Sequence, residues 1–260
     1  MSSSPPVHPA AAEGYTWAAN AYERGRPEYP EAAVDRLLEQ LGIQTGSQVL
    51  DLAAGTGKFT KLLAPLGCRI TAVEPVDSMR EKLAAAVSGA RVLAGTAEAI
   101  PLPDHSMDAV IVATAFHWFD GPKALAEIHR VLRPGGKLGL VWNVRDDSVG
   151  WVAELTRIMD PYQGSAPRYR EGAWKKAFRG TRLFTPLQEE HFSFMQEGPP
   201  SMVVDRVMSV SFISALPEAE RLKVRAEVES LLSVHPALKG RETVKLPGRT
   251  DVFWCSKVSS

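Results

Sequence analysis

From Gln48 onward, short apolar runs alternate with stretches whose apolar residues recur every three or four positions. Gln48-Val49-Leu50-Asp51-Leu52 is an apolar run that meets a glycine loop, and Lys58 to Leu66 then reads as a helix. Arg69 to Val73 is rich in β-formers and halts at Glu74-Pro75. Ser78 to Val87 follows as a helix with Met79, Leu83 and Val87 on one face, and Ala90 to Ala94 as a third strand. Met107 to Ala113 is apolar enough to be buried on both faces. Pro122 to Leu132 carries Leu125, Ile128 and Leu132 at helical spacing and stops at Arg133-Pro134-Gly135-Gly136. Leu138 to Trp142 is the fifth strand. Strands alternating with helices of about ten residues predict right-handed βαβ units and a parallel sheet.

After Asn143 the rhythm breaks. Val149 to Met159 reads as helical, Pro161 to Gly180 as loop, and Glu190 to Met195 alternates like a strand. Two helical stretches, Met202 to Ser209 and Pro217 to Val234, precede two short strands, Glu242 to Leu246 and Thr250 to Lys257. The expected fold is α/β: a doubly wound, mostly parallel, seven-stranded sheet with an antiparallel C-terminal edge and a small helical cap. Residues 1–14, rich in Ser, Pro and Ala, read as a flexible tail, and 15–260 as one domain. Within it, 15–30 is a candidate lid, and segments at about 145–185 and 199–240 form the cap.

Composition narrows the partners. The chain has 260 residues, 45% of them hydrophobic, enough for one substantial core. Its 30 basic and 30 acidic residues cancel, and no basic run stands out. Neither a nucleic acid nor an anionic membrane surface is therefore expected, and the oligomeric state is left as monomer or homodimer. No apolar run approaches the roughly 20 residues that span a bilayer. Two distant cysteines, Cys68 and Cys255, predict buried thiols in a reducing compartment, hence the cytoplasm, and no metal-ligand spacing is present.

In open α/β sheets, ligands sit outside the carboxyl ends of the strands, where the strand order reverses. Three features fall at such ends. In Asp51-Leu52-Ala53-Ala54-Gly55-Thr56-Gly57, Gly55 and Gly57 let the backbone turn tightly and approach a ligand. The third glycine of a dinucleotide fingerprint is missing. Asp51, just before the loop, would repel a pyrophosphate but suits the cationic amino group of a methionine moiety. Glu74, 17 residues beyond Gly57, can accept from both hydroxyls of a ribose. Met79 would lie near an adenine face, and Gly95-Thr96-Ala97-Glu98-Ala99-Ile100-Pro101 near its edge.

Asp51–Gly57, Val73-Glu74-Pro75, Gly95–Pro101, Asp108–Ala113 and Leu132–Leu138 resemble the successive motifs of class I S-adenosylmethionine-dependent methyltransferases, in order and spacing, over residues 45–143. Phe116-His117-Trp118-Phe119-Asp120, the N-terminal Tyr22…Arg26-Pro27…Tyr29-Pro30 and Asp205–Ser211 resemble a small-molecule branch of the type 11 methyltransferases that includes trans-aconitate methyltransferase-like proteins. The resemblance implies a Rossmann-like fold and S-adenosylmethionine as cofactor. It places Asp51, Ala53, Gly55 and Gly57 along the methionine and ribose, and Glu74 on the ribose. Pro75 and Met79 would flank the adenine, with Thr96, Ala97 and Glu98 at its edge. Ala113 would lie under the sulfonium, and Arg26 would reach the methionine carboxylate. Many relatives carry Asp where Thr96 stands.

His117 and Trp118 follow strand four, where an acceptor should arrive, and His117 is the candidate catalytic residue: a proton acceptor for a hydroxyl or acid, or else a structural histidine. Asn143 and Arg145 leave strand five, and Arg145 could pair with a substrate carboxylate, which would need no base; Arg168 and Arg170 raise the same question. Tyr22, Trp151 and Trp174 could wall an apolar pocket. The expected acceptor is a small organic acid or a polar, ring-bearing metabolite. An NAD(P)-dependent oxidoreductase is disfavoured by the incomplete glycine fingerprint and the lack of a Tyr-x-x-x-Lys pair. A non-catalytic cofactor-binding module stays open. Ala113-Thr114-Ala115-Phe116 in place of an Asn/Asp-Pro-Pro-aromatic platform speaks against methylation of a flipped base.

Overall fold

The structure, a computed structural model, describes residues 25–258. Before the sheet begins, helix α1 (Glu31–Leu41) buries Ala33, Val34, Leu37, Leu38 and Leu41 on one face and ends at Gly42, whose φ of 68° closes the helix through N–H bonds to Glu39 and Leu38 carbonyls. The apolar reading that starts at Gln48 passes over this helix, although Pro30 and Gly42 bracket it in the sequence.

Strands β1 (Gln48–Leu52), β2 (Arg69–Val73) and β4 (Met107–Ala113) form where the apolar runs place them. β3 (Arg91–Leu93) is a shorter version of the expected run. The helix expected over Lys58–Leu66 contracts to one α-turn, α2 (Thr60–Leu63), followed by a 3-10 turn at Ala64–Leu66, because Pro65 has no N–H to continue the ladder. Helices α3 (Asp77–Ala86) and α4 (Gly121–Val131) match expectation within a residue, and the Asp120 carboxylate caps α4 by accepting the Lys123 N–H.

The fifth strand is longer than expected: β5 runs Leu132–Arg145. It carries Arg133–Gly136, read as a stop, inside an irregular start, with the register against β4 shifting between Met107 and Ala109. Helix α5 (Gly150–Met159), strand β6 (Gln188–Gly198), helix α6 (Pro200–Met208), helix α7 (Ser211–Ser214) and helix α8 (Glu218–Val234) follow. The two short strands expected at the end are one, β7 (Val244–Ser256). Pro247-Gly248 does not break it. The Pro247 carbonyl accepts from the Asp146 N–H on the β5 side, so the N–H that proline lacks would point there too, beyond the last β5 pair, Arg145 with Gly248. On Gly248, the ring of Phe194 fills the space a Cβ would need, 2.4 Å away.

The seven strands lie in the order β3-β2-β1-β4-β5-β7-β6, with β7 antiparallel to both neighbours and the rest parallel. Helices cover both faces. α1 and α2 pack with Val49, Ile70, Ile111 and Val141, while α4 packs with Leu50, Val110, Leu140 and Phe253. α5, α6 and α8 build a separate apolar cluster against Val244 and Leu246 at the start of β7. Cys255 is buried, but Cys68 is only half-buried because it sits in the Gly67–Arg69 turn at the entrance to β2. Among the described residues no helix is long and apolar enough to cross a membrane.

Candidate active site

Strand order reverses between β1, which hands over to β2 on one side, and β4, which hands over to β5 on the other. Each strand is followed directly by a residue in the left-handed region: Ala53 and Thr114 each have φ 59°. For a β-branched threonine this is a costly conformation, of the kind found at ligand sites. Its hydroxyl is hydrogen-bonded to that of Tyr29, 2.9 Å away.

The loop after β1 forms a cradle. Gly55 and Gly57 have φ of 59° and 84°. A Cβ on Gly57 would stand 2.4 Å from Leu83 Cδ1, so the loop is pressed against α3, whereas one on Gly55 would project into open space with only Met79 Sδ nearby, at 3.9 Å. Asp51 is wholly buried; its Oδ2 accepts from the Thr60 hydroxyl at 2.6 Å, while Oδ1 has no partner among the described residues. Burial pushes its pKa up to about 7, against the Thr60 bond and with help from the Glu74 charge. Glu74 is buried too, and its pKa is likewise raised by desolvation. Its two oxygens accept from the Gly55 and Val76 N–H groups at 2.9 and 3.0 Å, which leaves each oxygen a further lone pair. Pro75 and Met79 follow at the rim and beneath it, with Met79 nearly fully buried. Thr96 presents a buried hydroxyl without a partner among the described residues. Ala97 packs into the core, and Glu98 accepts from the Asp120 N–H at 2.9 Å. An orphaned acid oxygen, a glycine with open space beside it, a pinned carboxylate, the Pro75–Met79 rim and an orphaned hydroxyl would fit the ammonium, methionine, ribose, adenine face and adenine edge of S-adenosylmethionine.

Beyond Ala113 and Thr114, a cavity of about 150 Å³ opens between the sheet and the α5–α7 region. Five arginines line it, Arg26, Arg145, Arg168, Arg170 and Arg206, against one acid among the described residues, Asp147. Arg145 stands at the end of β5, and among the described residues its side chain has no hydrogen bond or ion pair, with Nε buried and unsatisfied. Desolvation lowers its pKa from 12.5 to about 10, and Arg168, Arg26 and Arg170 add to that while Asp147 opposes it. Arg168 and Arg170 both pair with Asp160.

His117 and Trp118, in a 3-10 turn after β4, line the same cavity. The Trp142 indole N–H donates to His117 Nδ1 at 3.2 Å. With Nδ1 accepting, the neutral ring carries its proton on Nε2. Burial, with Arg26 nearby, pushes the ring pKa down to about 3. Asn143 reaches the cavity but also ties down the incoming chain, donating to the Glu28 carbonyl at 3.1 Å and accepting from the Thr250 hydroxyl at 2.6 Å. Arg26 donates to the Ser209 carbonyl at 3.2 Å, and Lys58, next to the glycine loop, donates to the Arg26 carbonyl at 2.6 Å.

Trp151 and Trp174 do not line the cavity. Trp151 is buried in the α5–α8 cluster, and Trp174 stands behind the wall, 4.7 Å from the Trp142 ring and packed on Phe116 and Phe253. Tyr22, and the candidate lid up to residue 24, lie outside the described residues. Sequence alone assigned no site role to Thr114, Tyr169, Arg206 or Phe212, all of which line the cavity. Arg206, within the Asp205–Ser211 motif, carried a further signal in the sequence: an arginine set among Met202, Val203, Val204, Val207 and Met208 on a buried helix.

Residues 50–140 match the methyltransferase domain family. A protein of Mycobacterium tuberculosis, named only as a methyltransferase, is 43% identical over 230 residues, spanning 88% of this chain and 90% of that protein. This chain belongs to the class I S-adenosylmethionine-dependent methyltransferases. A methyltransferase-like protein of Schizosaccharomyces pombe is 38% identical over 237 residues, 91% of this chain and 92% of its own length. Among solved structures, a phosphoethanolamine N-methyltransferase of Haemonchus contortus, in complex with phosphomonomethylethanolamine and S-adenosylhomocysteine, shares the methyltransferase fold with a TM-score of 0.58 at 15% identity, covering 98% of this chain and 61% of that one.

Proposed function

We propose that this methyltransferase binds S-adenosylmethionine in the Asp51–Gly57 and Glu74 cradle and methylates a carboxylate of a small organic acid, giving a methyl ester. The observation that carries the reading is Arg145: a guanidinium with no ion pair among the described residues, set with four more arginines against the one acid Asp147 in a cavity able to take a molecule about the size of benzene. A buried charge persists only where something pairs with it, and a planar carboxylate matches the guanidinium fork. Bound S-adenosylmethionine supplies a methyl group on a positively charged sulfur. The chain's own part is to align and shield. Asp51 Oδ1 accepts from the ammonium of the methionine moiety, Glu74 holds the ribose, and Thr96 meets the adenine edge. Arg145 orients the acid, and His117 donates from Nε2 to an acceptor oxygen. His117 has no lone pair left for a proton, so it does not serve as base. A carboxylate at neutral pH needs none. Alignment of this kind contributes roughly 7–11 kcal/mol of barrier lowering.

The test is methyl transfer from labelled S-adenosylmethionine to a panel of small carboxylic acids, alcohols and amines. Labelling of acids that is lost in Arg145→Met supports the reading. Labelling only of alcohols or amines, indifferent to Arg145, overturns it.

A further inference from the structure

Arg168 and Arg170 reach the cavity from the segment Pro167–Arg170. Their ion pairs with Asp160, and the Arg168 bond to Gln163 at 3.0 Å, tie the segment to its own neighbours in sequence and not to the sheet. The tie to the sheet is Tyr169. Its hydroxyl donates to Asp251 Oδ2 at 2.5 Å, while its ring lies 4.7 Å from Trp142 and stacks on Trp174. Asp251 sits on β7, paired with Trp142 of β5, and is wholly buried. Three other bonds hold its carboxylate: His191 Nδ1 at 2.7 Å and Arg249 Nε at 2.5 Å on Oδ1, and a second Arg249 nitrogen at 2.9 Å on Oδ2. Desolvation and this carboxylate raise the Tyr169 pKa, so its hydroxyl remains a donor.

A buried carboxylate with four bonds is costly to maintain between Thr250 and Val252, where an apolar residue would serve the strand. We propose that Asp251, outside the cavity, is a positioning residue for the acceptor site. It clamps Tyr169 to the sheet and so fixes Arg168 and Arg170 relative to Arg145. The Tyr169 ring also covers Trp142, whose indole N–H sets the His117 tautomer, so one clamp orders both halves of the wall. The inference rests on the acid-binding reading of the cavity.

The experiment uses the full chain, with Tyr169→Phe, Asp251→Ala and the double variant. Amide exchange reads the loop, at Glu171 and Gly172, whose N–H groups bond to the Arg168 and Tyr169 carbonyls. Calorimetry with acetate, succinate and citrate, in the presence of S-adenosylhomocysteine, reads the cavity. Tyr169→Phe is expected to speed exchange at both amides and weaken the tightest acid about tenfold, the scale of one hydrogen bond to a charged group. Affinity for S-adenosylhomocysteine itself should hold. The double variant should bind acid no worse than Asp251→Ala, because both changes remove the same bond. Unchanged exchange, or acid affinity unchanged in Tyr169→Phe, overturns the proposal. Should Asp251→Ala fail to fold, Tyr169→Phe alone decides. If the wild type binds none of the three acids while Tyr169→Phe still loosens the loop, the acid reading fails and the clamp stands.

Discussion

Arg145→Met separates binding from stability in opposite directions. In the free protein this guanidinium is drawn from 12.5 to about 10, which corresponds to roughly 3 kcal/mol of unfavourable charge burial. That shift is already net of the opposing pull of Asp147, but the cavity surface keeps partial hydration, so a relief of about 1–2 kcal/mol on removing the charge is the better expectation. Methionine keeps the length and apolar stem of the arginine and leaves no polar atom to satisfy. For a chain of this size the thermal midpoint should rise by about 2–6 °C. The same change removes the charged donor to the acceptor, about 1.5–3 kcal/mol, and should raise KM for the acid by about 10- to 100-fold. Thermal unfolding followed by circular dichroism, beside methyl-transfer kinetics on one acid, measures both. A fall in the midpoint would refute the reasoning, because it would mean that Arg145 is satisfied within the fold and not held in readiness for a ligand.

Asp51 should make cofactor binding pH-dependent. Its folded pKa is pushed up to about 7, and the ionised form holds an ammonium far more strongly than the protonated one, so affinity for S-adenosylhomocysteine should climb between about pH 6 and 8 and then level off. Calorimetry across that range, with Asp51→Asn flattening the curve, checks this. The same shift makes the buried acid bind its proton more tightly in the folded state, so stability from this group is fully present below the unfolded value of 3.8 and is lost as pH rises through about 7. His117→Gln should lower kcat by well under the roughly 100-fold of a lost general base, and a larger drop in steady-state assays would restore a proton-transfer role. Gly57→Ala should cost about 1–3 kcal/mol, read as a lower thermal midpoint, because it combines a left-handed backbone with a clash on Leu83.

β1, β2 and β4 were legible because their centres are buried on both faces and read as short, mainly apolar runs, whereas β3, at the sheet edge and only half-buried, is shorter than its run suggested. The loop proposed as the cofactor cradle was locatable for the same reason: Asp51, Gly55 and Glu74 lie in or directly follow those runs, so their place at the strand ends could be read by position alone. The acceptor cavity was not. Its wall is assembled from β5, the 3-10 turn at His117, the Pro167–Arg170 loop and α6, segments joined only by packing. Trp174 shows the limit: an aromatic in a loop reads equally as wall or as filler, and here it backs the wall through Trp142 and Tyr169. The Pro247-Gly248 pair misled differently, since a turn signal can be absorbed where a strand outruns its neighbour. The tautomer of His117 was beyond the sequence altogether, being set by Trp142 from another strand.

The chemical form of the transferred methyl group tests the central claim most directly. The chain is incubated with methyl-labelled S-adenosylmethionine and a small carboxylic acid, the product is treated with mild alkali, and volatile label is collected as methanol. A methyl ester releases its label in base, and the account predicts that nearly all of the product label becomes volatile in the wild type, with little formed by Arg145→Met. Label that stays with the product in alkali, as an ether, an amine or a carbon-bound methyl would, contradicts it.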